Sequence, residues 1–115
     1  MDSFTITPVK SGAVTVVEIN GYFAAEAGEK LESTVDELLR TGSLLIVLDF
    51  TTCSIISSPG IAALMDTTLK ITEDFQGKVS MCGLDDLQRK VLNMAGIINI
   101  APEGADRQAA VALVG

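Results

Sequence analysis

Strands alternating with helices predict an α/β fold for this chain. The expected form is a mixed, mostly parallel five-stranded sheet with helices, in the order ββαβαβαβα. Three observations carry that expectation. The chain opens on two β-rich segments separated by Ser11-Gly12, which reads as an antiparallel hairpin. Residues 24–40 and 59–75 show apolar positions spaced by three or four, the helical period. Between them, residues 44–50 read LLIVLDF, a continuous apolar run too short for an ordinary helix. Such runs mark parallel strands covered on both faces.

The elements follow in order. In residues 4–10, Phe4 and Ile6 alternate with polar positions, and Pro8 places this strand at a sheet edge. Val14, Val16, Val17 and Ile19 form the second strand, which Asn20-Gly21 is expected to close. In the first helix Ala27, Leu31, Val35, Leu38 and Leu39 make the apolar stripe, and Glu26, Glu29, Glu32, Asp36 and Glu37 fall mostly elsewhere. Arg40 suits the negative end of the helix dipole and Gly42 stops the helix. After the strand at 44–50, residues 51–57 read as a loop. Ser58-Pro59-Gly60 then reads as N-cap, N1 and N2 of the second long helix. Its stripe is Ile61, Leu64, Met65, Thr68, Leu69, Thr72 and Phe75, and Gly77 ends it. A strand at 78–83, a helix at 85–95 capped by Asp85 and stopped by Gly96, a short fifth strand at 97–101 and a helix at 106–113 complete the chain.

Composition narrows the function. A chain of 115 residues makes one domain, expected to span 1–115. Eight basic against fifteen acidic residues give a net charge of −7, which disfavours nucleic acid and anionic lipid as partners. Histidine and tryptophan are absent, which removes His-based catalysis, His-ligated metals and most base stacking. Cys53 and Cys82 belong to no CxxC pair and read as two reduced core thiols. No apolar leader precedes the first strand. The longest aliphatic run, residues 44–48, is far short of the ~20 needed to span a bilayer. These features predict a soluble cytoplasmic protein, not inserted in a membrane, with no metal and no cofactor.

Ligand sites of open α/β sheets lie in the loops after the carboxyl ends of strands. Here those are residues 20–25, 51–58 and 83–85, and the middle loop is rich in hydroxyls: Thr51, Thr52, Ser54, Ser57 and Ser58. Ser58 can be a helix cap, a phosphoacceptor at the positive end of a helix dipole, or both. A nucleophilic role lacks support, since the chain has no GxSxG, no SxxK and no His. Phosphate-binding loops of the GxxxxGK[ST] or GxGxxG kind are also missing. Asp49, Asp66, Asp85 and Asp86 read as solvated or capping carboxylates, so the chain is expected not to be an enzyme.

Three segments carry a family resemblance across nearly the whole chain. They are Ile19-Asn20-Gly21-Tyr22-Phe23, then the strand Ile46-Val47-Leu48-Asp49-Phe50 with Ser54-Ile55-Ile56-Ser57-Ser58-Pro59-Gly60-Ile61, and Val91-Leu92-Asn93-Met94-Ala95-Gly96-Ile97. In order and spacing the chain resembles the STAS domain family of bacterial anti-sigma factor antagonists. The resemblance implies a STAS fold and a binding switch in transcription regulation. Such a module sequesters an anti-sigma factor that is also a serine kinase. Phosphorylation of one serine weakens that binding and a phosphatase reverses it. The implied phosphoacceptor is Ser58, with Ser57 as fallback. The implied partner-binding residues are Gly21, Tyr22, Phe23, Ala24, Ser54, Ile55, Ser57, Ser58, Pro59, Gly60 and Asp66. Ser57 and Ala24 stand where the family carries Asp, and Pro59 where it carries a second Ser or Thr. The alternative role within the resemblance is a STAS-type subunit of an ABC lipid-transport complex that binds the ATPase subunit.

Overall fold

The structure, a computed structural model, describes residues 3–115. Residues 1 and 2, on which the expectations of a missing leader and of a domain beginning at residue 1 partly rest, lie outside the described residues. The elements are β1 (Phe4–Ser11), β2 (Val14–Phe23), α1 (Ala25–Arg40), β3 (Leu45–Asp49), β4 (Cys53–Ile56), α2 (Ser58–Leu69), β5 (Lys78–Cys82), α3 (Asp86–Met94), α4 (Ile97–Ile100) and α5 (Arg107–Val114). A π-helical turn, Lys70–Asp74, continues α2.

The sheet is mixed and mostly parallel, as expected. β1 pairs antiparallel with β2 through the hairpin, from Phe4 opposite Gly21 to Ser11 opposite Val14. β2 and β3 are parallel, with Val16 opposite Val47, and β3 and β5 are parallel, with Val47 opposite Ser80. β4 pairs parallel with the last residues of β2, beyond the end of β3. One side of β2 therefore carries β3 along its first half and β4 along its second.

Three corrections concern strands. Residues 51–57, expected as a loop, contain β4. β2 outruns β3, which pairs only as far as Glu18 opposite Asp49. The bare edge at Gly21–Phe23 recruits Cys53, Ile55 and Ile56, whose apolar and β-branched character suits a strand. β2 itself runs past Asn20-Gly21 to Phe23. Gly21 has φ +83°, and a Cβ there would meet the Ser3 carbonyl oxygen at 2.4 Å, so this glycine lets β2 pass close to Ser3 instead of stopping it, and the β2–β4 ladder skips Ser54 beside it as a bulge.

The third correction is the fifth strand at 97–101, which is the single helical turn α4. A short apolar run such as Ile97-Ile98-Asn99-Ile100 fits either conformation. Gly96, at φ +83°, redirects the chain into a turn, and Ile97 is buried in the core. Contact with the β5 edge comes later. Met81 N donates to the Pro102 carbonyl at 2.9 Å and Gly104 N to the Met81 carbonyl at 2.8 Å.

The core lies mainly on one side of the sheet. Val17, Ile19, Ile46, Leu48, Val79 and Met81 meet Leu31 and Val35 of α1, Leu64 of α2, Leu92 of α3 and Ile97 of α4 there. Ile71 of the π turn joins them, a position outside the expected α2 stripe. On the opposite face Val14, Val16, Val47 and Cys82 pack under Ala110 and Val114 of α5. Residues 46–50 are all buried, as a strand covered on both faces requires. Leu48→Ala should cost about 2–5 kcal/mol in urea denaturation. Leu113→Ala, on a side chain 49% exposed, should change stability by less than about 0.5 kcal/mol.

Candidate partner-binding site

The site begins where β2 ends. The Phe23 side chain is fully buried and its ring meets Phe50 edge-on, with centroids 6.4 Å apart. That contact fixes the last residue of β2 above the end of β3. The Phe23 carbonyl accepts the Ser57 N–H at 3.0 Å, which ties the end of β4 to the end of β2.

α2 starts on the same carbonyl. A Cβ at Gly60 would lie 2.3 Å from the Phe23 carbonyl oxygen, so only glycine lets the first turn sit this close. The cap is Ser57, not Ser58 as the sequence suggested. Ser57 has extended backbone, its Oγ accepts the Gly60 N–H at 3.4 Å, and its carbonyl accepts the Ile61 N–H at 2.9 Å. The one-residue shift has a physical reason. β4 runs to Ile56, so Ser57 is the first residue free of the ladder, and Pro59 at N2 still sits where its missing N–H is harmless. Ser58 becomes the first helical residue and is exposed.

The expected binding residues separate into two groups. Ser54, Ile55, Ser58, Pro59 and Asp66 are exposed, and Gly21, Tyr22, Ala24 and Ser57 are half-buried. Phe23 and Gly60 are buried, so they hold the loops in place and present no side chain to a partner. Asp85 caps α3 as expected. It accepts the Gln88 N–H at 2.7 Å, and Gln88 returns a bond to the Asp85 N–H at 3.0 Å.

A second polar cluster lies at the carboxyl end of β3, on the α5 side. Arg107 binds the buried Asp49 through Nε at 2.9 Å and Nη2 at 2.7 Å, and Glu18 through Nη2 at 2.6 Å. Thr51 donates its hydroxyl to Asp49 at 2.6 Å and its N–H at 2.9 Å. Burial pushes the Asp49 pKa up, but the Thr51 and Arg107 bonds together outweigh it and leave the carboxyl below the usual range. Asp49 was thus legible as a carboxylate but not as a buried, paired one; its partner lies 58 residues away. With Asn20 and Thr52, these groups line a cleft of about 320 Å³.

Both cysteines are buried free thiols. Burial raises Cys53 to about 11, and burial with the Asp49 carboxylate nearby raises Cys82 to about 12. Both are protonated at neutral pH and so poorly nucleophilic. No group of three or more Cys, Asp or Glu side chains is placed to hold a metal among the described residues. No helix among them is long and apolar enough to cross a membrane.

The STAS domain family model matches residues 5–110. The chain belongs to the STAS domain family. No curated protein sequence matches it. Solved structures share the fold. An anti-sigma factor antagonist from Mycobacterium paratuberculosis superposes with a TM-score of 0.84 at 19% identity, covering 98% of this chain and 95% of that one. Phosphorylated SpoIIAA, a Bacillus cell fate determinant, gives 0.71 at 17% identity over 98% of this chain and 100% of its own. A sulfate transporter family protein from Wolinella succinogenes gives 0.77 at 21% identity over 92% and 88%.

Two measurements test the site. Gly60→Ala drives a methyl into the Phe23 carbonyl and should lower stability by about 1–3 kcal/mol, read by urea denaturation. A loss no larger than an exposed substitution gives would show that α2 does not need this seat. The second is pH. Unfolded Asp titrates near ~4, and native Asp49 lies lower, so its contribution is complete above that pH and is lost as pH falls through the native value. Wild-type stability should fall steeply below about pH 4, and Asp49→Asn should start lower and fall less. Parallel curves would remove Asp49 from the acid limb.

Proposed function

We propose that this STAS domain is an anti-sigma factor antagonist, a cytoplasmic, non-enzymatic module folded as one domain over 1–115. It sequesters an anti-sigma factor serine kinase, and phosphorylation of Ser58 releases that partner. The observation that carries the reading is the division of labour at the start of α2: Ser57 caps the helix and Ser58 stands exposed at its first residue. A phosphate at Ser58 adds about −1.5 to −2 of charge at the positive end of a helix dipole, which the domain itself tolerates. The charge acts instead on whatever surface is docked against residues 20–25 and 54–60 and the exposed Asp66. A phosphatase would restore the binding form.

The second reading is a STAS subunit of an ABC lipid-transport complex that clamps the ATPase subunit and is not phosphorylated. It draws on Ala24 and Ser57, neutral where the family carries Asp.

The test uses the purified cognate anti-sigma factor. Ser58→Ala should bind it within about threefold of wild type, and Ser58→Glu at least about tenfold more weakly, by calorimetry. Because Ser57 holds the cap, neither change removes it. Incubation with the kinase, ATP and Mg²⁺ should place one phosphate on Ser58 by mass spectrometry. Phosphate absent from residues 51–58, with tight binding retained, would sink the switch and keep the antagonist. A stable complex with an ABC ATPase subunit and no affinity for the kinase would establish the second reading.

A further inference from the structure

A groove beside β4 points to a contact outside the start of α2. Leu87 is 72% exposed and Ile55 52%, unusual values for large apolar side chains that line one groove, and Met94 farther along the same helix is 79% exposed. Leu87, Val91 and Met94 form one stripe along α3. Across from it, Ser54, Ile55 and Ile56 of β4 complete a groove of about 140 Å³, with Gln88 in its wall and Asp85 on its rim.

One wall of this groove is an open sheet edge. β4 pairs only with β2 among the described residues, and β5 pairs with β3 and ends level with Asp49. The Gly21 N–H reaches the Thr52 carbonyl and the Ser57 N–H reaches the Phe23 carbonyl, so by alternation Cys53 and Ile56 turn their backbone groups away from β2. Both Cys53 groups are already taken, the N–H by the Phe50 carbonyl at 2.9 Å and the carbonyl by Gln88 Nε2 at 3.1 Å, so the edge is open at Ile56 alone. The Ile56 N–H and C=O face the groove. Exposed edges are usually blunted by charge or proline, as β1 is by Pro8 and Lys10; the Cys-Ser-Ile-Ile of β4 carries neither. A bare strand edge with an apolar helix alongside is the geometry of peptide binding by strand addition.

Charge selects the occupant. Asp85 lies on the rim and Asp86 follows it at the start of α3. The nearby Arg89 is engaged by Glu103 at 2.7 Å and Asp86 at 2.9 Å. Lys90, at about 100° per residue, falls on the far side of the Leu87–Met94 stripe from the groove. The groove is therefore locally acidic in a chain of net charge −7. An apolar space of about 150 Å³ accepts a group the size of benzene, so the groove holds one aliphatic side chain. We propose that the β4–α3 groove binds an extended segment of a partner protein by strand addition, with an aliphatic side chain in the groove and a Lys or Arg against Asp85.

The probe is the capped hexapeptide Lys-Val-Thr-Val-Thr-Lys, titrated into the ¹⁵N-labelled full chain and read by NMR. Saturable shifts are expected at Ile56, Leu87 and Val91, with none along β1. The Glu-Val-Thr-Val-Thr-Glu peptide should bind at least tenfold more weakly. Leu87→Glu, on an exposed side chain, should weaken binding at least fivefold with an unchanged melting temperature. No shifts at millimolar peptide, equal binding of the acidic peptide, or indifference to Leu87→Glu would each overturn the proposal. So would a concentration-dependent dimer abolished by Leu87→Glu, since a second copy would then be the occupant. The experiment contains no anti-sigma factor, so its outcome is separate from that of the Ser58 switch.

Discussion

The arrangement depends on how closely α2 approaches the end of β2. The Phe23 carbonyl accepts a bond from Ser57 and lies where a Gly60 Cβ would stand. That contact sets the height of the first turn of α2 above the sheet. It fixes Ser57 as the cap and leaves Ser58 outside. It also holds β4 in register against Gly21–Phe23, and among the described residues no strand pairs with the opposite edge of β4. The buried Phe23–Phe50 pair anchors the base of this arrangement in the main core. Glycine, capping serine and edge strand are therefore consequences of one close approach.

Electrostatics divide the molecule differently. The Asp36–Arg40 pair on α1 is one helical turn long and its arginine is largely exposed, so it contributes little. The Asp49–Arg107 contact has its carboxylate buried, with Thr51 supplying two further bonds. Removing either partner would leave a desolvated group poorly matched, which is where large penalties arise. Ser80 adds a buried bond from its hydroxyl to the Ala110 carbonyl at 2.7 Å. Together these bonds hold α5 on the minor face of the sheet. On the face that carries Ser58, an Asp36–Lys70 pair at 3.5 Å joins α1 to the turn that continues α2, and Arg89 of α3 binds Glu103 at 2.7 Å, alongside the apolar core and the backbone contacts at Phe23.

Local rules made most of the fold legible. Period and stop signals placed α1, where Leu31 and Val35 are fully buried, and the continuous run placed β3. The Asp85 cap of α3 followed from one residue type. What local rules missed was decided by distant neighbours. Cys53–Ile56 becomes a strand only because β2 outruns β3, a difference of lengths that no window of sequence contains. Ile97–Ile100 becomes helical because Gly96 turns the chain and Ile97 fills the core. The cap fell one residue early for the same kind of reason: Ser57 and Ser58 are chemically alike, and the end of the β4 ladder chooses between them. At the site, the family resemblance implied contact for Phe23 and Gly60, whereas both are buried beneath the exposed positions.

Solved structures of an anti-sigma factor antagonist and of a sulfate transporter family protein share this fold at about one-fifth identity. The core and the Phe23–Gly60 seat need only apolar volume, a carbonyl and a glycine, and these specify a backbone and no partner. The seat leaves Ser54, Ile55, Ser58 and Asp66 exposed and Ala24 half-buried. None of these is needed to bury the core, so they can change without unfolding the domain. The chain has no histidine, and both of its thiols are buried and protonated at neutral pH. On the proposed reading, a phosphate on Ser58 would add charge at the start of α2 while Ser57 keeps the cap beneath it.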